Sequence, residues 1–106
     1  MMTMEKLSVK KSDLHEDVPK KVEIGGKAIA VILHKGKVYA INAICTHKGG
    51  PLDEGKVEQD EIICPWHHGR FNIMTGKANS NTPWVKDTQE YKIITDETTG
   101  ELSVEI

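Results

Sequence analysis

The chain has 106 residues, which predicts one domain over 1–106 and leaves no room for a second core of ordinary size. Fourteen Lys and Arg against sixteen Asp and Glu leave a formal charge of -2, so nothing offers the excess of positive charge that a nucleic-acid backbone demands. The longest apolar run, Ala28 to Leu33, is six residues against the roughly 20 that span a bilayer, and Met1 to Lys11 lacks the apolar stretch of a secretion signal. The expectation is a cytoplasmic protein with no membrane contact.

Taken in chain order, the pairs Lys10-Lys11 and Lys20-Lys21 read as solvated faces, and the segment Ser12 to Pro19 has room for one helical turn. Val22 and Ile24 lead into the turn signal Gly25-Gly26 and then into Ala28–Leu33, apolar on both faces as a central strand would be. A hairpin is predicted there. Lys35-Gly36-Lys37 reverses the chain again before Val38-Tyr39-Ala40-Ile41, which gives three antiparallel strands in succession. At the far end, Tyr91 to Thr95 and Leu102-Ser103-Val104-Glu105-Ile106 flank a turn at Thr99-Gly100, a second hairpin. Period-two alternation dominates and no long helix is expected, so the fold class is all-β.

The middle is different in kind. Residues 44 to 90 hold five of the nine glycines, three of the four prolines, both cysteines and both tryptophans, so loops dominate, with short strands at Glu61–Ile63 and Arg70–Ile73 and a tight turn at Thr75-Gly76. This stretch contains Cys45-Thr46-His47, sixteen residues, and then Cys64-Pro65-Trp66-His67. Two thiolates and two imidazoles are a complete set of four metal ligands, and spacings of two and three residues let one turn present both ligands to one point. Structural zinc sites commonly pair two Cys in one half and two His in the other. Here each half supplies one of each, which suits a dinuclear cluster, with zinc as the alternative. His15 and His34 read as ordinary surface histidines.

The pattern C-x-H, sixteen residues, C-x-x-H, then Phe71 and Thr75-Gly76, resembles the signature of Rieske-type ferredoxins and Rieske domains, which bind a 2Fe-2S cluster. The resemblance implies that Cys45 and Cys64 ligate one iron and His47 and His67 the other, through Nδ1. It implies a small antiparallel β-sandwich or barrel, base strands in 1–43 and 77–106, with a loop-rich cluster-binding subdomain of about 44–76 at its tip. It also implies a one-electron carrier that is not itself an enzyme, with redox proteins as partners: a reductase donor and a terminal oxygenase or other redox enzyme as acceptor. The alternative is a small Rieske subunit of an assimilatory complex such as nitrite reductase.

Imidazole in place of two thiolates leaves the site less negative after it takes an electron, which lifts the potential from near -400 mV into roughly -150 to +300 mV. High-potential members of the family carry a disulfide and Ser and Tyr donors at positions held here by Gly50, Trp66, Gly69 and Phe71, so the lower part of that window is expected. One position departs from the pattern. Most of the family has Gly after the second ligand histidine, whereas His68 stands there and Gly69 follows; His68 as ligand would turn C-x-x-H into C-x-x-x-H. Trp66, Pro51, Leu52, Pro65, Pro83 and Trp84 are expected to form an apolar skin over the site.

Overall fold

The computed structural model describes residues 4–46, 49–66 and 68–105. The long apolar run forms β3 (Lys27–His34), which pairs antiparallel with β2 (Lys20–Ile24) on one side and β4 (Lys37–Asn42) on the other. A short β8 (Glu90–Tyr91) extends this sheet beyond β4. Because successive side chains of a strand leave opposite faces, β3 feeds two cores at once. Ala30 and Ile32 enter one cluster with Ile41, Leu52, Ile62, Phe71 and Ile73. Ile29 and Val31 enter another with Leu7, Val22, Leu102 and Val104. All four of these β3 side chains are fully buried, each large one contributing about 1.5–3 kcal/mol of transfer free energy.

Those two cores attach two further sheets. On one side β1 (Met4–Lys10), β10 (Glu101–Glu105) and β9 (Ile93–Thr95) lie in the order β1-β10-β9. On the other, β5 (Lys56–Glu58), β6 (Glu61–Ile63) and β7 (Arg70–Asn72) form an antiparallel meander that leads directly into and out of the second cysteine loop. The all-β expectation holds, and both predicted hairpins are present.

Two details differ from the sequence-based expectation. The predicted strand Tyr91 to Thr95 is divided between sheets: Tyr91 pairs with Ala40 of β4, whereas Ile93 pairs with Val104 of β10. The chain changes sheet at Lys92, a corner of the kind that joins crossed sheets. The helical turn expected within 12–19 lies at its start, a 3-10 turn at Lys11–Asp13 closed by the Asp13 carboxylate, which accepts the Lys10 N–H at 2.9 Å. No helix among the described residues is long and apolar enough to cross a membrane.

Candidate metal centre

The two cysteines lie just beyond the ends of β4 and β6, and both thiols belong to the core between the β2-β3-β4-β8 and β5-β6-β7 sheets. They are buried and not joined in a disulfide. The loops that carry them share one backbone pattern. Cys45 N–H donates to the Gly50 carbonyl at 2.8 Å and Gly49 N–H returns to the Cys45 carbonyl at 3.1 Å. In the second loop Cys64 N–H donates to the Gly69 carbonyl at 2.8 Å, and His68 N–H returns to the Cys64 carbonyl at 3.0 Å. The residue four after each cysteine takes a left-handed conformation: Gly49 at φ 72° and His68 at φ 59°. Histidine tolerates that region better than most side chains, which is how His68 can occupy a position suited to Gly. His68 is exposed and, with Glu54, Lys56, Ile63 and Pro65, lines a cavity of about 330 Å³ beside Cys64.

Gly50 joins the two loops. While its carbonyl receives the Cys45 N–H, a Cβ built on its Cα would stand 3.0 Å from Cys64 Sγ and 3.1 Å from the Trp66 indole. The second loop therefore packs on bare backbone at this point. Sequence reasoning missed how a third loop, residues 82–88, is fastened to these two, through Thr46 and Val85. Thr46 Oγ1 donates to the Lys86 carbonyl at 2.7 Å and accepts the Lys86 N–H at 3.0 Å, tying that loop to the first cysteine loop. Buried Val85 lies so close to Gly69 that a Cβ there would come within 2.5 Å of Val85 Cγ1. Pro83 and Trp84 marked this loop in the sequence, but nothing there marked Val85 or Thr46 as its contacts.

Below the loops, Arg70 braces the β5-β6-β7 sheet. Its guanidinium donates to Glu58 at 3.2 Å and Glu61 at 3.3 Å, and these carboxylates raise its pKa further. Of the apolar skin, Trp66, Pro65, Pro83 and Trp84 are exposed and Pro51 is half-buried, but Leu52 is fully buried in the core, where its place in a 3-10 turn (Leu52–Glu54) directs it inward. His47 and His67 lie outside the described residues. His15 is exposed as expected; His34 is not, its ring being buried at the end of β3 with Asp17 and Asp60 at its two nitrogens.

Two buried, unbridged thiols on matched loops, drawn together over a glycine, suit a buried sulfur-ligated group. The model of the Rieske [2Fe-2S] domain matches residues 5–92, and the chain belongs to that family; its cofactor is one Rieske-type 2Fe-2S cluster. The chain is 42% identical over 72 residues to the ferredoxin component of the naphthalene 1,2-dioxygenase/salicylate 5-hydroxylase systems of a Ralstonia species, a match covering 68% of each chain. Its fold superposes with a TM-score of 0.87 on the ferredoxin of carbazole 1,9a-dioxygenase from Nocardioides aromaticivorans IC177, at 30% identity and 96% coverage of both chains. A Mycobacterium tuberculosis protein assigned as an NADH-dependent nitrite reductase small subunit has the same fold, with a TM-score of 0.86 over 100% of this chain and 96% of its own, but at 16% identity it speaks to the fold alone. With relatives of the ferredoxin kind, the chain is an electron carrier.

Proposed function

We propose that this chain carries single electrons, in the cytoplasm, from a flavin-dependent reductase to the terminal component of an oxygenase system. Cys45 and Cys64 would hold one iron and His47 and His67 the other, on a subdomain of about 44–76 set on a base formed by 1–43 and 77–106. The bound cluster supplies the chemistry, accepting and releasing one electron without making or breaking a substrate bond.

The observation that carries this reading is the repeated loop: the same two backbone hydrogen bonds fold each cysteine carbonyl and amide back on its own turn. Between each cysteine and the left-handed position, Thr46 in the first loop and Pro65 and Trp66 in the second are exposed. Exposed Trp66 on the second loop and exposed Trp84 on the 82–88 loop would present a small apolar face, as a weak and quickly released complex requires. With no side chain at Gly50, the Trp66 ring and Cys64 Sγ both pack at that point.

The test is metal analysis and electron paramagnetic resonance of the dithionite-reduced protein, together with single replacements of His67 and His68 by Ala. Two irons and two labile sulfides per chain are expected, with an average g value below that of clusters held by cysteine alone. His67→Ala should abolish the visible spectrum and His68→Ala should keep it. Colourless protein holding zinc would overturn the reading.

A further inference from the structure

His34 ends β3 with its side chain 3% exposed, and both ring nitrogens meet carboxylates. Nδ1 lies 2.6 Å from Asp17 Oδ1 and Nε2 lies 2.8 Å from Asp60 Oδ1. A carboxylate can only accept, so the arrangement is satisfied when both nitrogens carry hydrogen and the ring is a cation. The partners come from separate parts of the chain. Asp17 belongs to the connection between β1 and β2, which is anchored beside His34 by the Asp17 N–H on the Leu33 carbonyl at 2.7 Å. Asp60 sits in the β5–β6 turn, where its carbonyl accepts the Ile73 N–H at 2.9 Å and so holds β6 against the segment following β7.

The other charges near the ring are Glu16, Lys35 and Lys37. Glu16 accepts the Lys35 N–H at 2.6 Å, the Lys35 ammonium lies 3.1 Å from Asp60, and Lys37, opposite His34 in the hairpin register, is exposed. Three of the four non-glycine residues with positive φ among those described are Asp17, Lys35 and Gln59, each in or beside this group. Left-handed backbone at such residues costs free energy and persists where its surroundings hold it. Glu16, Asp17 and His34 lie close enough together to suggest a metal, but both ring nitrogens already have partners and an ammonium stands at Asp60.

We propose that protonated His34 is a latch fastening the β5-β6-β7 sheet to the base, and that loss of its second proton frees the β5–β6 turn. Burial opposes the charged ring most strongly, yet the hydrogen bonds to Asp17 and Asp60, aided by their charges, outweigh it and raise the His34 pKa above its ordinary value. A raised pKa means that the latch is fully engaged below about pH 6.5, the unfolded value, and is lost as pH rises through the higher folded value.

Amide hydrogen exchange of the cluster-loaded protein, followed by mass spectrometry from pH 6 to pH 9, tests this. Protection of residues 56–63 and 70–73, corrected for intrinsic rate and divided by that of 28–33, should hold steady to about pH 6.5 and then fall at least about threefold. His34→Gln should show the lowered ratio at every pH. Should that variant fail to fold, Asp60→Asn, on a carboxylate 41% exposed, should show the same lowered and flatter profile. A flat wild-type ratio would overturn the latch, as would an Asp60→Asn profile matching wild type. Protection restored at pH 9 by added zinc, and lost again in Glu16→Gln, would replace the latch by a metal site and equally overturn it.

Discussion

The loops of Cys45 and Cys64 have the same backbone hydrogen bonds but different means of support. The first is held from outside, by Thr46 bonded to the main chain of Lys86. The second is held from within, by Val85 against Gly69 and by Gly50 against Cys64 and Trp66. One loop depends on polar bonds at the surface and the other on missing side chains in the interior. Since filling an interior contact forces backbone to move, whereas a surface hydrogen bond is partly replaced by water, the second loop should be the more sensitive to substitution.

Gly69→Ser tests this most severely. The new Cβ would stand 2.5 Å from Val85 Cγ1, and a valine methyl has no free rotation by which to retreat, so a loss of about 1–3 kcal/mol is expected in chemical denaturation. Adding Val85→Ala should recover most of it, because the two positions are in direct contact and their effects do not add. If Gly69→Ser alone is as stable as wild type, the interior support does not exist.

Gly50→Ala should cost less, about 1 kcal/mol, since the Trp66 ring that crowds the new methyl is 55% exposed and can shift outward. Cys64 Sγ, 3.0 Å away and buried, cannot move so easily, and the substitution should alter the visible spectrum of the loaded protein more than its stability. An unchanged spectrum would show that the sulfur does not bear on this contact.

The sequence displayed these supports unequally. β2, β3 and β4 were legible because two-sided burial writes a continuous apolar run and Gly turns divide it. β1 was overlooked although Leu7 and Val9 alternate inward, since Lys6, Lys10 and Lys11 surround them and the strand lies at a sheet edge. β5 offers one apolar residue, Val57, too few for any period. The cysteines were readable from spacing, but Val85 and Thr46 act across 16 and 40 positions, and His34 meets carboxylates 17 and 26 positions away. Such contacts are created by the fold and leave no local pattern.

On the surface side of the comparison, Thr46→Val removes one donor and one acceptor together while keeping the shape. About 1 kcal/mol is expected, because both bonds to Lys86 are exposed and water takes them over in part. The informative measurement is where protection is lost. Amide exchange should rise most in 82–88 and around Cys45 and less in the Cys64 loop, which Val85 of the same segment and Gly50 still pack against; an equal rise in both loops would show that the Thr46 bonds support them alike.

The smallest effect should come from the one place where the two loops diverge in conformational cost. Gly49 and His68 occupy the same step of the pattern with φ of 72° and 59°, yet only the first is a residue for which that region carries no penalty. His68→Gly removes a left-handed strain of about 1–2 kcal/mol and adds roughly 0.5–1 kcal/mol of unfolded-chain entropy, leaving a net gain of about 0.5–1 kcal/mol. His68→Ala retains the strain without histidine's tolerance of it, and should be less stable than either. The order Gly above His above Ala in thermal denaturation would mark position 68 as a backbone position; wild type more stable than the Gly variant would mean that the His68 ring itself holds the second loop together.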